Sequence, residues 1–235
     1  MQGVLVGCDR EQEWLLPWWW QHYSIHNGFP VLFIDFGMSQ HMRRWCEKKG
    51  TVAKAPPLNL TSKEDLPSTI KKQWEKRYGS GFWMRRCAWL KKPSALLLSP
   101  FSQGIWLDLD CAVKGSLQPL FDSVIDASIA LVRDREQHHE ISLPDEIHYN
   151  SGVIAFQKQA DILHQWTKTT ESFEQLLPGD QETLSRAIYL HQPNLRELPA
   201  IYNWYHAFGK NPEAVIHHYC GGPAKVEILR SLLLN

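Results

Sequence analysis

The chain has 235 residues, 43% of them hydrophobic, which supports one sizeable core and a single domain over residues 1–235. Its 25 basic and 25 acidic residues cancel, so no global field favours nucleic acid or an anionic membrane, and any phosphate binding must be local. The five cysteines are odd in number and form no C-x-x-C pair, which argues against a disulfide framework and a zinc cluster and for free thiols in a reducing cytosol.

The chain opens on an apolar strand pattern over residues 3–8, without the basic and then apolar segments of a signal peptide. A helix-period stretch over 13–26 and an apolar run at Val31, Leu32, Phe33 and Ile34 complete a β-α-β start. Further helix is expected over 39–50 and a third strand over 51–55, before the Pro56-Pro57 break opens a loop over 56–66. Two helices follow over 68–78 and 82–90, then a shorter one with Pro93 in its first turn. Strands are expected again over 104–113, 128–133, 152–156 and 215–219. Two helices straddle Pro178-Gly179, a mobile, His-rich loop spans 134–148, and a helix ends the chain. Strands alternating with helices imply an α/β fold with a mainly parallel central sheet and helices on both faces.

No stretch is long and apolar enough to span a bilayer. The Leu232, Leu233, Leu234 tail allows at most peripheral membrane or partner docking, and packing of a last helix on its own domain is the commoner use of such a pattern. Eleven tryptophans are many for this length, but Trp18, Trp19 and Trp20 on one helix cannot all face one ligand, so packing is their expected use.

The most informative run is Gly104-Ile-Trp-Leu-Asp108-Leu-Asp110-Cys-Ala-Val113. Residues i and i+2 of an extended chain face the same side, which aims Asp108 and Asp110 together and turns Leu109 away. Two such carboxylates at the carboxyl end of a strand suit Mg²⁺ or Mn²⁺ across a substrate's phosphates. They could equally cap backbone N–H groups at a polar turn.

Other motifs accompany this pair in fixed order. They are Lys92, sixteen residues before Asp108, Tyr149-Asn150-Ser151-Gly152-Val153, Gly179-Asp180-Gln181, and His217-His218-Tyr219-Cys220-Gly221 with Lys225 beyond. In this order they resemble the glycogenin-type, retaining glycosyltransferases of family 8, which have the GT-A fold, and the likeness runs from the first strand to about residue 226. The resemblance implies a transferase that moves a hexose from a nucleotide sugar, with a UDP-hexose the leading donor, to a hydroxyl of a glycan, protein or lipid, with retention. It implies Mn²⁺ or Mg²⁺ on Asp108, Asp110 and one histidine. Adjacent strand residues face opposite sides, and His218 has the family's aromatic neighbour and Gly spacing, so His217 is the second choice. It further implies donor contacts from Lys92, Asp108, Leu109, Ser151 and Lys225, with Asp9 and the backbone of Gly7 and Cys8 at the nucleotide. Asp180, Gln181 and Asn150 would act at the sugar. The sequence departs from the pattern by one extra residue before Lys225, by lacking the Pro-Trp after it, by its second histidine, and by Cys8-Asp9-Arg10-Glu11 in place of a Thr/Asn-rich turn.

Two rival readings share some of these features. A haloacid dehalogenase-type phosphohydrolase also places Asp-x-Asp after an apolar strand, with the first Asp as nucleophile. Its motif usually lies near the N-terminus with Thr or Val two residues after the second Asp, where this chain has Ala112. A catalytically silent nucleotide-sugar-binding protein would keep the fold without turnover.

Overall fold

The computed structural model describes residues 1–135 and 141–233. Ten strands and eight helices follow in chain order among these residues: β1 (Gln2–Asp9), α1 (Leu15–His26), β2 (Val31–Gly37), α2 (Gln40–Glu47), β3 (Thr51–Lys54), α3 (Ser68–Tyr78), α4 (Phe82–Leu96), β4 (Gln103–Leu107), β5 (Cys111–Val113), α5 (Gln118–Asp122), β6 (Ile129–Arg133), β7 (Tyr149–Gln157), α6 (Asp161–Phe173), α7 (Asp180–His191), β8 (Leu195–Leu198), β9 (Trp204–Tyr205), β10 (Ile216–His218) and α8 (Gly222–Leu233). A seven-stranded sheet runs β3-β2-β1-β4-β7-β6-β8, and a three-stranded sheet runs β5-β10-β9. In the large sheet β1–β2, β2–β3, β1–β4 and β6–β8 pair parallel, while β7 runs antiparallel between β4 and β6. The expected mainly parallel α/β sheet is present, in mixed form.

Both faces of that sheet are buried, which is why its central strands read as continuous apolar runs. Val4 and Val6 of β1, Ile105 and Leu107 of β4, and Val153 and Ala155 of β7 face one core with Trp19 and Tyr23 of α1 and Ile216 of the small sheet. The alternate residues Leu5, Trp106 and Ile154 face the other, with Leu96 of α4, Trp166 of α6 and Leu184 of α7. The tryptophan triplet packs as expected: Trp18 and Trp19 are buried, and Trp20 lies under the Lys49 ammonium at 4.8 Å.

Several expectations are corrected. The run 104–113 is two strands in different sheets, so Asp108 and Asp110 lie in the turn between β4 and β5 rather than on one strand. The turn is tight: Asp108 donates its N–H to the Gly152 carbonyl at 2.8 Å and accepts from the Cys111 N–H at 3.0 Å. Helix α4 runs unbroken through Pro93, because Leu90, Pro93, Ala95 and Leu96 are all buried and packing outweighs the lost backbone hydrogen bond. Asn150 and Ser151 belong to β7 instead of a turn before it. Helix α5 and strands β8 and β9 have no counterpart in the sequence reading; β8 and β9 are short, and α5 has five residues.

Part of the expected mobile loop, residues 136–140, lies outside the described residues. Its flanks are anchored, by the Asp134 N–H on the His148 carbonyl at 2.8 Å and by Arg186 on the Glu146 carboxylate at 3.1 Å. Helix α8 packs through Ala224 and Ile228 but leaves Leu232 and Leu233 exposed, and Leu234 is outside the described residues. No helix among the described residues is long and apolar enough to cross a membrane.

Candidate functional site

The carboxyl ends of β1 and β4 and the start of β7 open into a cleft of about 740 Å³, within the usual range for a ligand site. Gly7 and Asp9 of β1, Asp108, Leu109 and Asp110 of the turn, and Lys92 of α4 line it. Asn150, Ser151, Asp180, Gln181, His218 and Lys225 line it too, so the fold gathers nearly all the residues singled out from the sequence. Gly7 is needed at the floor, since a Cβ there would meet Phe36 at 2.1 Å and Trp106 at 2.6 Å.

One expectation, Cys8, fails in detail, and a second, Asp9, gains a structural role. Cys8 does not line the cleft: its side chain points into the core, where burial pushes the thiol far above its usual range. Asp9 does line the cleft, but its carboxylate accepts the Gln12 N–H at 2.9 Å and so shapes the turn after β1.

Lys92 is buried. Its ammonium lies 2.9 Å from Asp108 and 2.5 Å from Asp180 and donates to the Ser151 carbonyl at 3.2 Å. Burial alone would lower its pKa; the carboxylates of Asp108 and Asp180 outweigh that and hold it above the ordinary lysine value. Asp108 also accepts the Trp106 indole N–H at 2.7 Å.

Asp110 forms the opposite pole. Its carboxylate lies 3.2 Å from His218 Nε2 and 2.8 Å from Lys225 Nζ. Burial would raise its pKa, yet Lys225 and His218 together hold it well below the usual carboxylate range. Lys225 reaches the site despite the extra residue in its motif, but its present partner is Asp110. Of the two histidines, His218 faces Asp110. His217 turns to Lys114, 3.2 Å away, and to the ring of Tyr219, and burial followed by the Lys114 charge lowers its pKa to about 4. Gly152 makes room for the His218 ring, since a Cβ there would sit 2.4 Å from Cε1.

Asp180 is the first residue of α7, whose N-cap is Gly179 and carries no side-chain cap. The Asp180 carboxylate instead accepts the Ser151 hydroxyl at 2.7 Å. Gln181 accepts from Asn150 Nδ2 at 2.7 Å and donates to Asp134 at 2.5 Å. The sequence reading missed Asp134, Asn203, Tyr205 and Glu182. Asn203 donates to Asn150 at 2.6 Å and meets His218 Nδ1 at 2.8 Å, and the Tyr205 hydroxyl donates to Asp134 at 3.1 Å. Burial pushes the Glu182 carboxyl up, against the hydrogen bond it accepts from Tyr78. No motif marks these residues; the available signal was polar side chains embedded in apolar runs, as in Tyr202-Asn203-Trp204.

The donor set fits a hard divalent ion. Ligand atoms of Asp110, Cys111 and His218 lie within 4.8 Å of one another. Burial and the neighbouring Asp110 push the Cys111 thiol well above its usual range, so in the ligand-free chain the carboxylate of Asp110 and the imidazole of His218 are the ready donors, while the Asp108 carboxylate is not gathered with them and is held by Lys92 and the Trp106 indole.

Comparison with known proteins bears on the fold and the family. No curated protein sequence matches the chain. Solved structures do, with the fold as the shared property. The galactosyltransferase LgtC in complex with donor and acceptor sugar analogues aligns at TM-score 0.61 and 16% identity over 94% of this chain and 87% of that one. Mouse xyloside xylosyltransferase 1 in its apo form gives TM-score 0.59 and 14% identity over 93% and 97%. The glycosyltransferase GlyE of Streptococcus pneumoniae TIGR4 gives 0.61 and 15% over 94% and 55%. Residues 84–226, more than half of the chain and holding every motif from Lys92 to Lys225, match the model of glycosyl transferase family 8, and the chain belongs to that family.

Proposed function

We propose that this chain is a metal-dependent, retaining hexosyltransferase of the glycogenin-type pattern that takes a UDP-hexose and glycosylates an acceptor hydroxyl. The observation that carries the reading is the pairing of Asp110 with His218 at one pole of the cleft, joined through the Asp108 turn to Lys92 and Asp180 at the other. Asp108, Asp110 and His218 are the residues that would hold Mn²⁺ or Mg²⁺. When bound, the ion supplies charge stabilisation to the diphosphate as it leaves.

The chain's own residues do the rest. Lys92 offsets Asp108 and Asp180 in part and Lys225 pairs with Asp110, and a diphosphate entering with a divalent ion changes the net charge of the cleft little because the two charges cancel. Lys225 can turn its ammonium from Asp110 toward phosphate oxygen. Asp180, on the opposite wall, orients the sugar and faces the positive charge that develops at the glycosidic carbon, with Ser151 and Lys92 fixing its rotamer. Gln181 and Asn150 present amide groups beside it. With retention, the departing diphosphate oxygen accepts the proton of the attacking hydroxyl on the same face. The acceptor is a hydroxyl of a glycan, protein or lipid. The five free thiols support a cytosolic location, with at most peripheral membrane contact through the exposed leucines of α8.

Thermal unfolding with UDP-sugars, each with Mn²⁺ or EDTA, tests the reading. Ligand at about 100 times its Kd should stabilise the fold by about 2.7 kcal/mol, and EDTA should remove the shift. Asp110→Asn should keep the fold and lower Mn²⁺-dependent UDP release at least ~100-fold. An unchanged rate in that variant, or no shift with any nucleotide, sinks the assignment.

A further inference from the structure

A chain of side-chain amides connects the two poles of the cleft, and its direction is fixed by groups that have no choice of role. The Gly152 backbone N–H can only donate, and it meets Asn150 Oδ1 at 2.8 Å. That contact sets the Asn150 amide. The same Oδ1 lies 2.6 Å from Asn203, which must therefore present its NH₂ group there. Asn203 Oδ1 is then the atom left 2.8 Å from His218 Nδ1, and a carbonyl oxygen only accepts, so Nδ1 must carry the proton.

The opposite end agrees independently. Asn150, set by Gly152, turns its NH₂ to Gln181 Oε1 at 2.7 Å, and Gln181 then donates its own NH₂ to Asp134 at 2.5 Å, where a carboxylate accepts. The Tyr205 hydroxyl donates to the other Asp134 oxygen at 3.1 Å. Reversing any amide would set donor against donor or acceptor against acceptor, so each bond fixes the next.

We propose that Asn203 is a positioning residue that holds His218 as its Nδ1–H tautomer, so that the bare Nε2 faces Asp110, through a relay whose polarity Gly152 and Asp134 set. With the ring neutral, Nε2 and the Asp110 oxygen 3.2 Å away are both acceptors, so the pair takes a cation, which in the metal-free chain a proton on Nε2 can supply and which a metal ion would replace. Orienting an imidazole ligand through its second nitrogen is how proteins fix such ligands generally. Here the same relay includes Gln181 and Asn150, so the sugar side and the cation side share one network. This inference rests on the reading of His218 as a ligand, but the tautomer is a property of the metal-free chain.

The test uses ring-¹⁵N histidine labelling and long-range ¹H–¹⁵N correlation on the metal-free protein, in buffer basic enough to keep the ring neutral, with His218 assigned by comparison with His218→Asn. The expected result is Nδ1 protonated and Nε2 bare in the unaltered protein. In Asn203→Leu the proton should settle on Nε2, where Asp110 accepts it, and Mn²⁺ affinity measured by paramagnetic resonance with UDP present should fall about 10–100-fold. Asn203→Asp keeps the acceptor while losing the donor to Asn150. It should retain the Nδ1–H form and bind Mn²⁺ more tightly than Asn203→Leu, although its second oxygen now faces Asn150 Oδ1. A purely structural role predicts instead that Asp behaves like Leu. An Nε2–H tautomer in the unaltered protein, or equal behaviour of the two variants, overturns the proposal. Absence of Mn²⁺ binding to the unaltered protein would count against the transferase reading, while the tautomer alone still decides the role of Asn203.

Discussion

Replacing Lys92 by methionine keeps the aliphatic stem and removes one buried charge that two carboxylates share. The ammonium lies 2.9 Å from Asp108 and 2.5 Å from Asp180, and the Asp180 side chain is 8% exposed against 29% for Asp108. Breaking a buried ion pair by deleting one partner costs about 3–5 kcal/mol, mostly through the charge left behind. Asp108 can take up water and keeps the Trp106 indole N–H, and Asp180 keeps the Ser151 hydroxyl and the favourable N-terminus of α7. These compensations place the loss near the lower end, about 3 kcal/mol. Equilibrium urea unfolding should show it as a midpoint lowered by about 1 M for a slope near ~3 kcal/mol/M. The double variant Lys92→Met with Asp180→Asn removes the stranded charge and should recover at least about 1 kcal/mol of coupling. A single variant costing less than about 1 kcal/mol, or a double variant no more stable than the single, would refute the view that Lys92 is held by electrostatic compensation.

His217, pulled down to about 4 in the folded chain from an ordinary value of 6.5, binds fewer protons folded than unfolded between those pH values. Stability should therefore rise with pH across this window and be lost on acidification, by up to about 3 kcal/mol. His217→Gln should flatten that slope in urea titrations at several pH values; an unchanged slope would mean the histidine does not titrate as its surroundings require. Gly152→Ala would drive a methyl into the His218 ring and to 2.9 Å from Asn150 Oδ1. It should lower Mn²⁺-dependent turnover by about 10–100-fold and raise the Mn²⁺ concentration needed for half activity. Turnover equal to that of the unaltered protein would show that the ring has room elsewhere.

Much of the fold was legible because its central strands are buried on both sides and its helices are amphipathic or cleanly punctuated. Strands β1, β2 and β3 and the start of α7 fall where apolar runs and Pro178-Gly179 put them. Failures came where packing overrode local rules, as at Pro93, and where strands were too short to carry a period, as in β9. In the cleft, the residues of recognisable motifs were found, and the order of those motifs carried more information than any one of them. What escaped was the supporting polarity. Asn203, Asp134 and Tyr205 are distant in sequence from the residues they orient, and only the folding of β7, α7 and the segment after β8 brings them together. The Cys8 backbone, expected at the nucleotide, does not line the cleft, while its neighbours Gly7 and Asp9 do and its side chain faces the core by strand alternation.

The carboxylates stand at a joint. The chain leaves the large sheet at Leu107 and enters the small one at Cys111, and His218 lies on β10, which pairs with β5 over only three residues. Any ligand that gathers Asp108, Asp110 and His218 therefore acts as a rivet between two sheets, and part of its binding free energy goes into keeping them aligned. Reciprocity follows: a weakened seam between β5 and β10 loosens the grip on the ligand, and an empty seat leaves those short strands to open more often. The amide exchange of the small sheet should therefore slow when the cleft fills, with β1 and β4 hardly affected.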